Sequence, residues 1–369
     1  MVEKCDVLII GGGIMGCSLA YYLARKKIRV ILVEKSHVGA EASGRNAGGV
    51  RQQGRNPAEL PLAMESVKMW PSLSKELGYD IDYRRVGNLY VARNKKQLED
   101  FKKRVEHERE AGLDVRMVTP AEACRLMPSL VKEKIYGGTY CPTDGVANPI
   151  RITFAFAQAA KALGAKLYTH TEVVGIELSG NEIKFVNTTK GKMGGEVVVN
   201  ATGPWASVIG KMVGLHIPIQ PKRAQMMITQ QLPQNACAPF IVTPGDYGYW
   251  TQTLHGNVLL GHTSRPVEQY DIGVTFEAIS FQTQKTLQFL PSFKKVAIIR
   301  CYSGLTEWTP DGIPIISFVK EIKGFIVDAG YSGHGFCIGP ISGKLVSEMI
   351  IDGRPSLSLK AFEYSRFQK

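Results

Sequence analysis

A glycine-rich turn near the amino terminus constrains the fold of this chain more than any other feature. The apolar run at residues 6–10 is long enough for a buried strand and leads directly into glycines with G-x-G-x-x-G spacing. Gly11 allows a sharp turn, Gly13 allows the backbone to approach a pyrophosphate, and Gly16 allows the next helix to pack closely on the sheet. Because the free N–H groups of that helix face the turn, the pattern predicts a dinucleotide-binding unit.

A second apolar run, residues 30–33, ends at Glu34 and completes this unit. An acidic residue in this place is suited to accept hydrogen bonds from a ribose, which disfavours a phosphorylated nicotinamide cofactor. It does not separate NAD from FAD, and a structural turn without a ligand is the alternative. The ordered succession of strand, glycines, helix, second strand and acidic residue favours the cofactor site. The further contacts predicted here are Ile14, Met15 and Lys35.

Residues 42–51 form a second glycine-rich stretch, which follows the position predicted to bind ribose. Three glycines disfavour a helix interior and expose backbone N–H groups, while neighbouring side chains add donors for an anionic or carbonyl-rich ligand. A plain surface loop is the alternative, but the position after the second strand favours a loop that cradles the cofactor. The predicted contacts are Ser43, Arg45, Asn46, Ala47, Gly48 and Gly49.

The composition indicates an ordinary globular chain. With 369 residues, 44% apolar and 21% charged, it is long enough for two domains or for one large α/β domain with an insertion. No apolar run approaches the roughly 18 residues that a membrane-spanning helix requires. The first strand starts within a few residues of the amino terminus, which leaves no room for a secretory or transit peptide and predicts a cytoplasmic protein.

Cysteine spacing and net charge restrict the expected ligands and partners. The seven cysteines are scattered without a C-x-x-C pair, so we expect neither a metal site nor a disulfide framework. The formal net charge of +12 suits a dinucleotide or a carboxylate substrate, and it would also suit an acidic protein or a membrane lipid. Nucleic acid is not predicted as a partner, because the chain has no basic helix or aromatic-basic module.

The middle of the chain predicts a second sheet. Residues 83–144 and the segment from Pro218 to Arg300 are rich in strand patterns and together predict a sheet that covers a pocket. The predicted strands include residues 84–92 and 223–230 and a hairpin of residues 247–254 and 258–262.

Several helices are predicted by apolar spacing and by capping residues. Residues 59–77 have helical spacing, with Pro71 as a break or a helix start, and residues 95–111 predict a charged amphipathic helix. Thr119 begins a capping box, and Asn148 precedes a proline at a predicted helix start.

Later stretches are also predicted to reach the cofactor. Residues 196–203 are typical of a buried strand ending in small residues, where a cofactor can lie against the backbone. Residues 303–312 and 330–336 are glycine-rich loops, and the second opens a helix whose dipole points at the far end of the cofactor. The contacts predicted from these stretches and the strand before them are Val173, Ala201, Thr202, Gly203, Trp205, Gly304, Gly330, Gly333, His334, Gly335 and Phe336.

These motifs, taken together, resemble the D-amino-acid oxidase (DAO) family of FAD enzymes. VLIIGGGIMG, SGRNAGGVR, VVNATGPWA, SGLTEWTPDGIPII and GYSGHGF occur in that family's order and cover essentially the whole chain. Within the family, SGRN…VRQQ, YWTQTLHG and TPDG are most similar to the flavoprotein β-subunits of proline dehydrogenase and sarcosine oxidase. The hydrogen-cyanide-forming glycine dehydrogenase subunit is a near relative.

The resemblance implies an α/β architecture, α+β overall. A Rossmann-like FAD-binding domain would comprise residues 1–82, 145–217 and 303–369, and an inserted antiparallel-sheet substrate domain would comprise residues 83–144 and 218–302. Relatives that attach the flavin covalently have a cysteine where this chain has Gly304, so we expect one FAD, held non-covalently.

The resemblance also implies the reaction. A small amino or imino acid, of the proline, sarcosine or glycine type, would pass a hydride equivalent from its α C–H to flavin N5 and become an imine. An FAD-dependent D-amino-acid or glycine oxidase is an alternative, although Thr306 replaces the arginine of glycine oxidases. Another alternative is a flavoprotein subunit that is active only with an α-subunit or an electron-acceptor partner. An NAD-linked dehydrogenase is a third.

The resemblance implies four candidate catalytic residues. Arg51 lies where relatives bind the substrate carboxylate, although a salt bridge in the flavin loop or at the surface is an equal alternative. Tyr249 and Trp250, with Gln252, could line the pocket, and packing in a core or a place on the sheet surface is an equal alternative for each of them. His334 could handle a proton, or its backbone could matter more than its ring. The further candidates to bind the carboxylate are Arg223, Arg265 and Arg300.

Overall fold

The computed structural model describes residues 2–245, 248–261, 265–267 and 270–368. The α-helices are α1 (Ile14–Arg25), α2 (Leu60–Leu77), α3 (Lys95–Glu110), α4 (Pro120–Leu126), α5 (Pro149–Ala162), α6 (Ala206–Met212), α7 (Phe276–Phe289) and α8 (Gly335–Ile351). The strands are β1 (Glu3–Ile10), β2 (Val30–Val33), β3 (Gly49–Val50), β4 (Asn88–Ala92), β5 (Arg116–Val118), β6 (Gly137–Cys141), β7 (Gly145–Val146), β8 (Lys166–Tyr168), β9 (Val173–Ser179), β10 (Glu182–Thr188), β11 (Gly191–Asn200), β12 (Gln220–Gln231), β13 (Phe240–Thr243), β14 (Gly248–Gln252), β15 (Asn257–Gly261), β16 (Arg265–Pro266), β17 (Ile298–Trp308), β18 (Ile315–Phe318) and β19 (Phe325–Ala329).

The first sheet, which we call the nucleotide sheet, has the strand order β18-β19-β11-β1-β2-β8. Its central pairs are parallel, and β10 and β9 extend it from β11 in antiparallel fashion. Apolar residues fill both faces of β1, β2 and β19, as expected for parallel strands covered on both sides. On one face α1 packs against α5 and α8, so the beginnings of α1 and α8 meet at one end of the sheet.

The second sheet has the order β16-β12-β15-β14-β13-β4-β6-β5, and β17 pairs along the other side of β12. Side chains alternate between its two faces, as strand geometry requires. Ile241, Trp250 and Leu260 belong to a core that packs with α7. Their neighbours Phe240 and Tyr249 belong to a cluster on the other face, which also contains Ala47 of the loop before β3. This face is turned towards the nucleotide-binding half of the chain.

Most of the predicted elements are confirmed. The helix predicted over residues 95–111 is α3, the capping box at Thr119 starts α4, and Asn148 caps α5. The predicted hairpin is β14 and β15, and its end residues Tyr247 and His262 lie outside the described residues. In the described part of the chain, no helix has both the length and the apolar character needed to cross a bilayer.

Three predicted features differ from the structure. Pro71 neither breaks nor starts a helix: it lies inside α2 on the exposed side, where water can satisfy the carbonyl that loses its partner. The strand predicted from residue 84 begins only at Asn88. Residues 303–308 are not a loop, because they continue β17, which pairs with β12 from Trp308 back to Ile298.

The predicted domain division remains a prediction. The described strands that start within residues 83–144 and 218–302 lie in the second sheet, while β8 to β11, β18 and β19 lie in the nucleotide sheet. β17 runs across the boundary proposed at residue 303, so any division at that point would cut a continuous strand.

Candidate functional site

A cavity lies at the carboxyl ends of β1, β2, β11 and β19, where α1 and α8 begin. Parallel sheets bind ligands at this end, because strand ends and helix N-termini converge there. The cavity brings together sixteen of the predicted cofactor contacts. They are Gly11, Gly13, Ile14, Met15, Glu34, Lys35, Ser43, Asn46, Val173, Ala201, Thr202, Gly203, Trp205, Gly333, Gly335 and Phe336.

The glycine turn closes one wall of this cavity. Gly11 has a φ of +113°, and a Cβ there would lie 2.4 Å from the carbonyl oxygen of Ala201. A Cβ at Gly16 would lie 2.0 Å from the carbonyl oxygen of Gly11, so α1 packs as closely as its sequence allows. The N–H of Ile14 donates to Ser43 Oγ at 2.9 Å, which joins the turn to the second glycine-rich stretch.

Glu34 and an aromatic group also line the cavity, next to the glycine turn. The N–H of Gly12 donates to Glu34 Oε2 at 2.7 Å, and that of Ser36 donates to Oε1 at 2.8 Å. Each oxygen keeps a lone pair for a ribose hydroxyl. Lys35 Nζ lies 3.2 Å from the ring centre of Trp205, and burial lowers the pKa of this lysine. Trp205 in turn stacks on Tyr270.

Eight predicted cofactor residues do not line the cavity: Gly16, Arg45, Ala47, Gly48, Gly49, Gly304, Gly330 and His334. Arg45 braces the loop instead, because its Nε donates to Ala40 O at 2.7 Å and an Nη donates to Ser303 O at 2.9 Å. A Cβ at Gly304 would lie 2.9 Å from Arg45 Cβ, so this glycine makes room for the brace. Arg45 and Gly304 therefore support the wall of the cavity from behind and do not line the cavity itself.

Two acids that line the cavity were missed from the sequence. Burial raises the pKa of Glu307 to about 7 and that of Asp328 to about 6. Asp328 Oδ1 accepts hydrogen bonds from Tyr331 Oη at 2.5 Å and Ser342 Oγ at 3.1 Å. Within the described residues, its Oδ2 has no partner. An acid inside the apolar run 325–329 was the signal that could have identified it.

This cavity fits the FAD that the sequence motifs imply. The glycine turn and two helix N-termini in this cavity suit a pyrophosphate, and the carboxylate of Glu34 is placed to bind a ribose. The unpartnered buried oxygen of Asp328 offers an acceptor to a hydroxyl group of such a ligand. Gly203, Gly333 and Gly335 line the cavity without placing a side chain in it.

Arg51 lies on the face of the second sheet that is turned towards the cavity's glycine-rich loop. One Nη donates to Tyr90 Oη at 2.8 Å, and the guanidinium carbon lies 5.2 Å from the ring centre of Phe240. In the part of the chain that is described, Nε is buried and has no hydrogen-bond partner. A guanidinium that is held on an aromatic face and keeps a free donor can bind a carboxylate.

Tyrosine hydroxyls complete this face. Tyr249 stacks on Phe240 with ring centres 6.0 Å apart, and its hydroxyl contacts Met226 Sδ at 3.1 Å. Burial raises the pKa of Tyr249 well above its usual value, whereas the charge of Arg51 opposes this shift. Tyr302, which the sequence reasoning missed, packs on the same face, and burial raises its pKa to about 12. Its place two residues before Gly304 on an alternating strand was the available signal.

Trp250 and Gln252 do not lie on this face. Strand alternation turns Trp250 into the α7 core, where its Nε1 donates to Thr286 Oγ1 at 2.9 Å. Gln252 supports neighbouring loops, because its Nε2 donates to the carbonyl oxygens of Pro233 and Gly256. The placement favours the core-packing alternative for both residues.

His334 lies at the start of α8 and pairs with a buried acid that the sequence did not reveal. Its Nδ1 lies 3.0 Å from Glu59 Oε2. Burial, together with the charges of Arg55 and Arg51, lowers the pKa of His334, while Glu59 acts in the opposite direction. A neutral imidazole in such surroundings can accept a proton.

The remaining candidates are separated from this group. Arg223 pairs with Asp271, while Arg265 and Arg300 are exposed. The described residues contain no grouping of three His, Cys, Asp or Glu side chains suited to a metal ion, and all seven cysteines are free thiols.

Comparisons with known proteins agree with this architecture. A profile of the family described as FAD dependent oxidoreductase (DAO) matches residues 6–349. The structure of L-proline dehydrogenase from P. horikoshii is similar, with 33% identity, a TM-score of 0.95 and coverage of 100% of this chain and 99% of that one. Glycine oxidase from Geobacillus kaustophilus (strain HTA426) is 29% identical over 99% of this chain and 98% of its own length.

Other relatives are subunits or longer proteins. Sarcosine oxidase subunit beta from Arthrobacter sp is 26% identical, over 99% of this chain and 92% of its own length. The mitochondrial sarcosine dehydrogenase of Homo sapiens is 25% identical, and the chain spans only 42% of that protein.

Proposed function

The chain belongs to the FAD dependent oxidoreductase (DAO) family, as an FAD-dependent enzyme acting on CH–NH or CH–NH₂ donors, and we propose that its substrate is a small amino or imino acid of the proline, sarcosine or glycine type. The observation that carries the proposal is Arg51, a guanidinium with a free buried donor on an aromatic face. The relatives named proline dehydrogenase, glycine oxidase and sarcosine oxidase support this substrate class.

Arg51 binds the substrate carboxylate in this proposal. Phe240 and Tyr249 wall the site with apolar surface, which excludes water and strengthens the charged contact. Apolar walls of this kind suit the ring of proline or the methyl group of sarcosine. The same walls leave glycine with fewer contacts, so we rank glycine after the other two.

The substrate must lose an amine proton before the C–H bond breaks, because an ammonium nitrogen has no lone pair to stabilise the forming imine. His334 accepts that proton, since it is held neutral by its surroundings. FAD bound in the cavity would supply the oxidising chemistry, as the acceptor of a hydride equivalent from the α carbon. The N-terminus of α8, with Gly333 and Gly335 on the cavity wall, would hold the ring end of the cofactor and provide a positive field that favours negative charge there.

The cofactor is held non-covalently in this proposal. Cys301 is the cysteine nearest in sequence to Gly304, but it packs on the α7 side of the second sheet. Its neighbour Tyr302 takes the opposite face, so a covalent bond from Cys301 would require the strand to turn over.

A second candidate function is that of a subunit that needs a partner to pass its electrons on. The similarity to a protein named sarcosine oxidase subunit beta favours it. A partner-dependent enzyme would reduce its own flavin with substrate but would turn over slowly with oxygen alone. Turnover restored by an artificial dye would identify this case, and rapid oxygen consumption would exclude it.

The test of substrate class is anaerobic reduction of the bound flavin. The holoprotein is mixed with both enantiomers of proline, with sarcosine and with glycine, and the flavin absorbance is followed. We expect bleaching by at least one acid and none by the corresponding amides, because an amide cannot engage Arg51 as a carboxylate does. Equal bleaching by acids and amides, or none by any acid, would contradict the proposal.

A further inference from the structure

Glu59 is a buried carboxylate whose position serves no evident purpose in its own helix. It stands at the N-cap of α2, where acidic side chains usually accept a hydrogen bond from the first turn, yet its side chain makes no such bond. The side chain has no exposed surface, and Oε1 has no partner within the described residues. A buried acid with an unpaired oxygen is destabilising, so a neutral residue would suit the helix better.

The remaining oxygen of Glu59 is directed at His334. Oε2 lies 3.0 Å from Nδ1 of that ring, and this contact joins the start of α2 to the start of α8. A carboxylate accepts hydrogen bonds and cannot donate them, so the contact requires Nδ1 to carry the hydrogen. In a neutral imidazole the other nitrogen, Nε2, is then the acceptor.

We propose that Glu59 is a positioning residue, which fixes the tautomer of His334 so that Nε2 is available to take the amine proton of the substrate. This inference rests on the role given to His334 under the proposed function. Glu59 itself contacts neither substrate nor cofactor in this account. Its contribution is to keep the ring in one orientation and one protonation pattern.

The charged groups around His334 give the expected pH response its sign. Glu59 favours the protonated ring, while Arg55 before α2 and Arg51 after β3 oppose it, as does burial. Replacing Glu59 by glutamine removes the one favourable charge, so the pKa of His334 should fall further. The acidic limb of the flavin-reduction profile should therefore move to lower pH. The plateau rate should fall roughly tenfold to a hundredfold, because a glutamine can face the ring with either end of its amide.

The first measurement is independent of any substrate. Nitrogen-15 NMR of the FAD-loaded holoprotein distinguishes a ring nitrogen that carries hydrogen from one that does not, and a His334→Asn variant identifies the signals. We expect Nδ1–H with an unprotonated Nε2 in the native protein and a mixture of tautomers in Glu59→Gln. The opposite tautomer, or an unchanged spectrum in the variant, would overturn the proposal.

Glu108→Gln is the matched control. Glu108 is also buried, also has an unpartnered oxygen and accepts the N–H of Gly54 at 2.6 Å. It should leave both the His334 spectrum and the pH profile unchanged. FAD affinity and circular dichroism of the variants report folding, so a Glu59→Gln protein that loses FAD while its profile stays in place would show a merely structural role.

The substrate experiments separate the two proposals. If no amino acid reduces the flavin, the proposed function fails while the tautomer measurement still decides the role of Glu59. If amino acids do reduce it, Glu59→Gln combined with His334→Asn should be no slower than His334→Asn alone. Additive losses in this double variant would contradict a role exerted through His334.

Discussion

The cofactor cavity differs in construction from the Arg51 face, the name we give to Arg51 with Tyr90, Phe240 and Tyr249. The comparison shows which substitutions each region can tolerate. The cavity depends on close backbone packing by glycines that are near in sequence, such as Gly11 and Gly16. The Arg51 face gathers side chains from strands that are far apart in the chain, including β4, β13 and β14. Damage to the cavity should therefore abolish cofactor binding, whereas damage to the face should change substrate binding and leave FAD in place.

The largest expected effect is that of Gly16→Ala. Its new Cβ would lie 2.0 Å from the carbonyl oxygen of Gly11, and the backbone cannot yield without opening the turn. We expect purified protein with little or no bound FAD, which flavin absorbance per chain will measure. Gly175→Ala is the control, because the nearest atom to its Cβ would be 3.8 Å away. Full FAD content in Gly16→Ala would show that the cavity does not depend on this packing.

Arg51→Ala should produce the next largest effect. Loss of a buried charged partner for a carboxylate costs about a hundredfold or more in substrate affinity, while FAD affinity should change by no more than about threefold. Arg51→Lys should recover only part of the loss, since an ammonium cannot form the paired contact. Arg300→Ala, at an exposed arginine of β17, serves as the control. Equal loss of substrate affinity and FAD affinity would show that Arg51 binds the cofactor. The cavity and the Arg51 face would then not differ in function.

Asp328→Asn tests how a buried acid of the cavity changes the pH dependence of stability. Because burial raises the pKa of Asp328 to about 6, its contribution to folding is fully present below about pH 4 and is lost as pH rises through 6. The unfolding free energy of the native apoprotein should therefore fall by an amount on the order of 2–3 kcal/mol over this range. The variant should lack this part of the pH dependence in urea titrations. If the unfolding free energy of the variant still fell with pH as in the native protein, another group, such as Glu307, would be responsible.

The smallest expected effects distinguish the two faces of one strand. Trp250→Phe should lower the unfolding free energy by about 1–3 kcal/mol, because it removes buried volume and the bond to Thr286, and it should leave flavin reduction unchanged. Tyr249→Phe should do the reverse, with a modest change in reduction rate and little change in stability. Denaturant titration and rapid-mixing kinetics of both variants measure this contrast. A Trp250→Phe protein with unchanged stability but slow flavin reduction would show that Trp250 acts at the substrate site.

The same contrast explains what the sequence could predict. The glycine turn, Glu34 and the start of α8 are local patterns, and the structure brings their residues together in the cavity. Family membership and the mixed α/β fold also followed from ordered local motifs. Local reasoning failed where a residue's role depends on distant partners: Arg45 was expected on the cofactor but braces Ser303.

The second sheet shows most clearly what could not be predicted from the sequence. Alternation along β14 was evident from the sequence, but which of Tyr249 and Trp250 lies on the same face as Arg51 depends on where α7 packs. The partnership of Glu59 with His334 joins residues 275 positions apart and leaves no local pattern. Ser303 to Trp308 looked like a loop because it belongs to the stretch 303–312, which contains two glycines and a proline, whereas pairing with β12 makes the segment a strand.

The most direct test of the central claim is rapid anaerobic mixing of the wild-type and Arg51→Ala holoproteins with increasing concentrations of proline or sarcosine. We expect wild-type flavin to be bleached at a rate that saturates with substrate, and Arg51→Ala, with equal flavin content, to require about a hundredfold more substrate or more. Flavin that no such acid reduces in the wild type, or identical saturation curves for the two proteins, would contradict it.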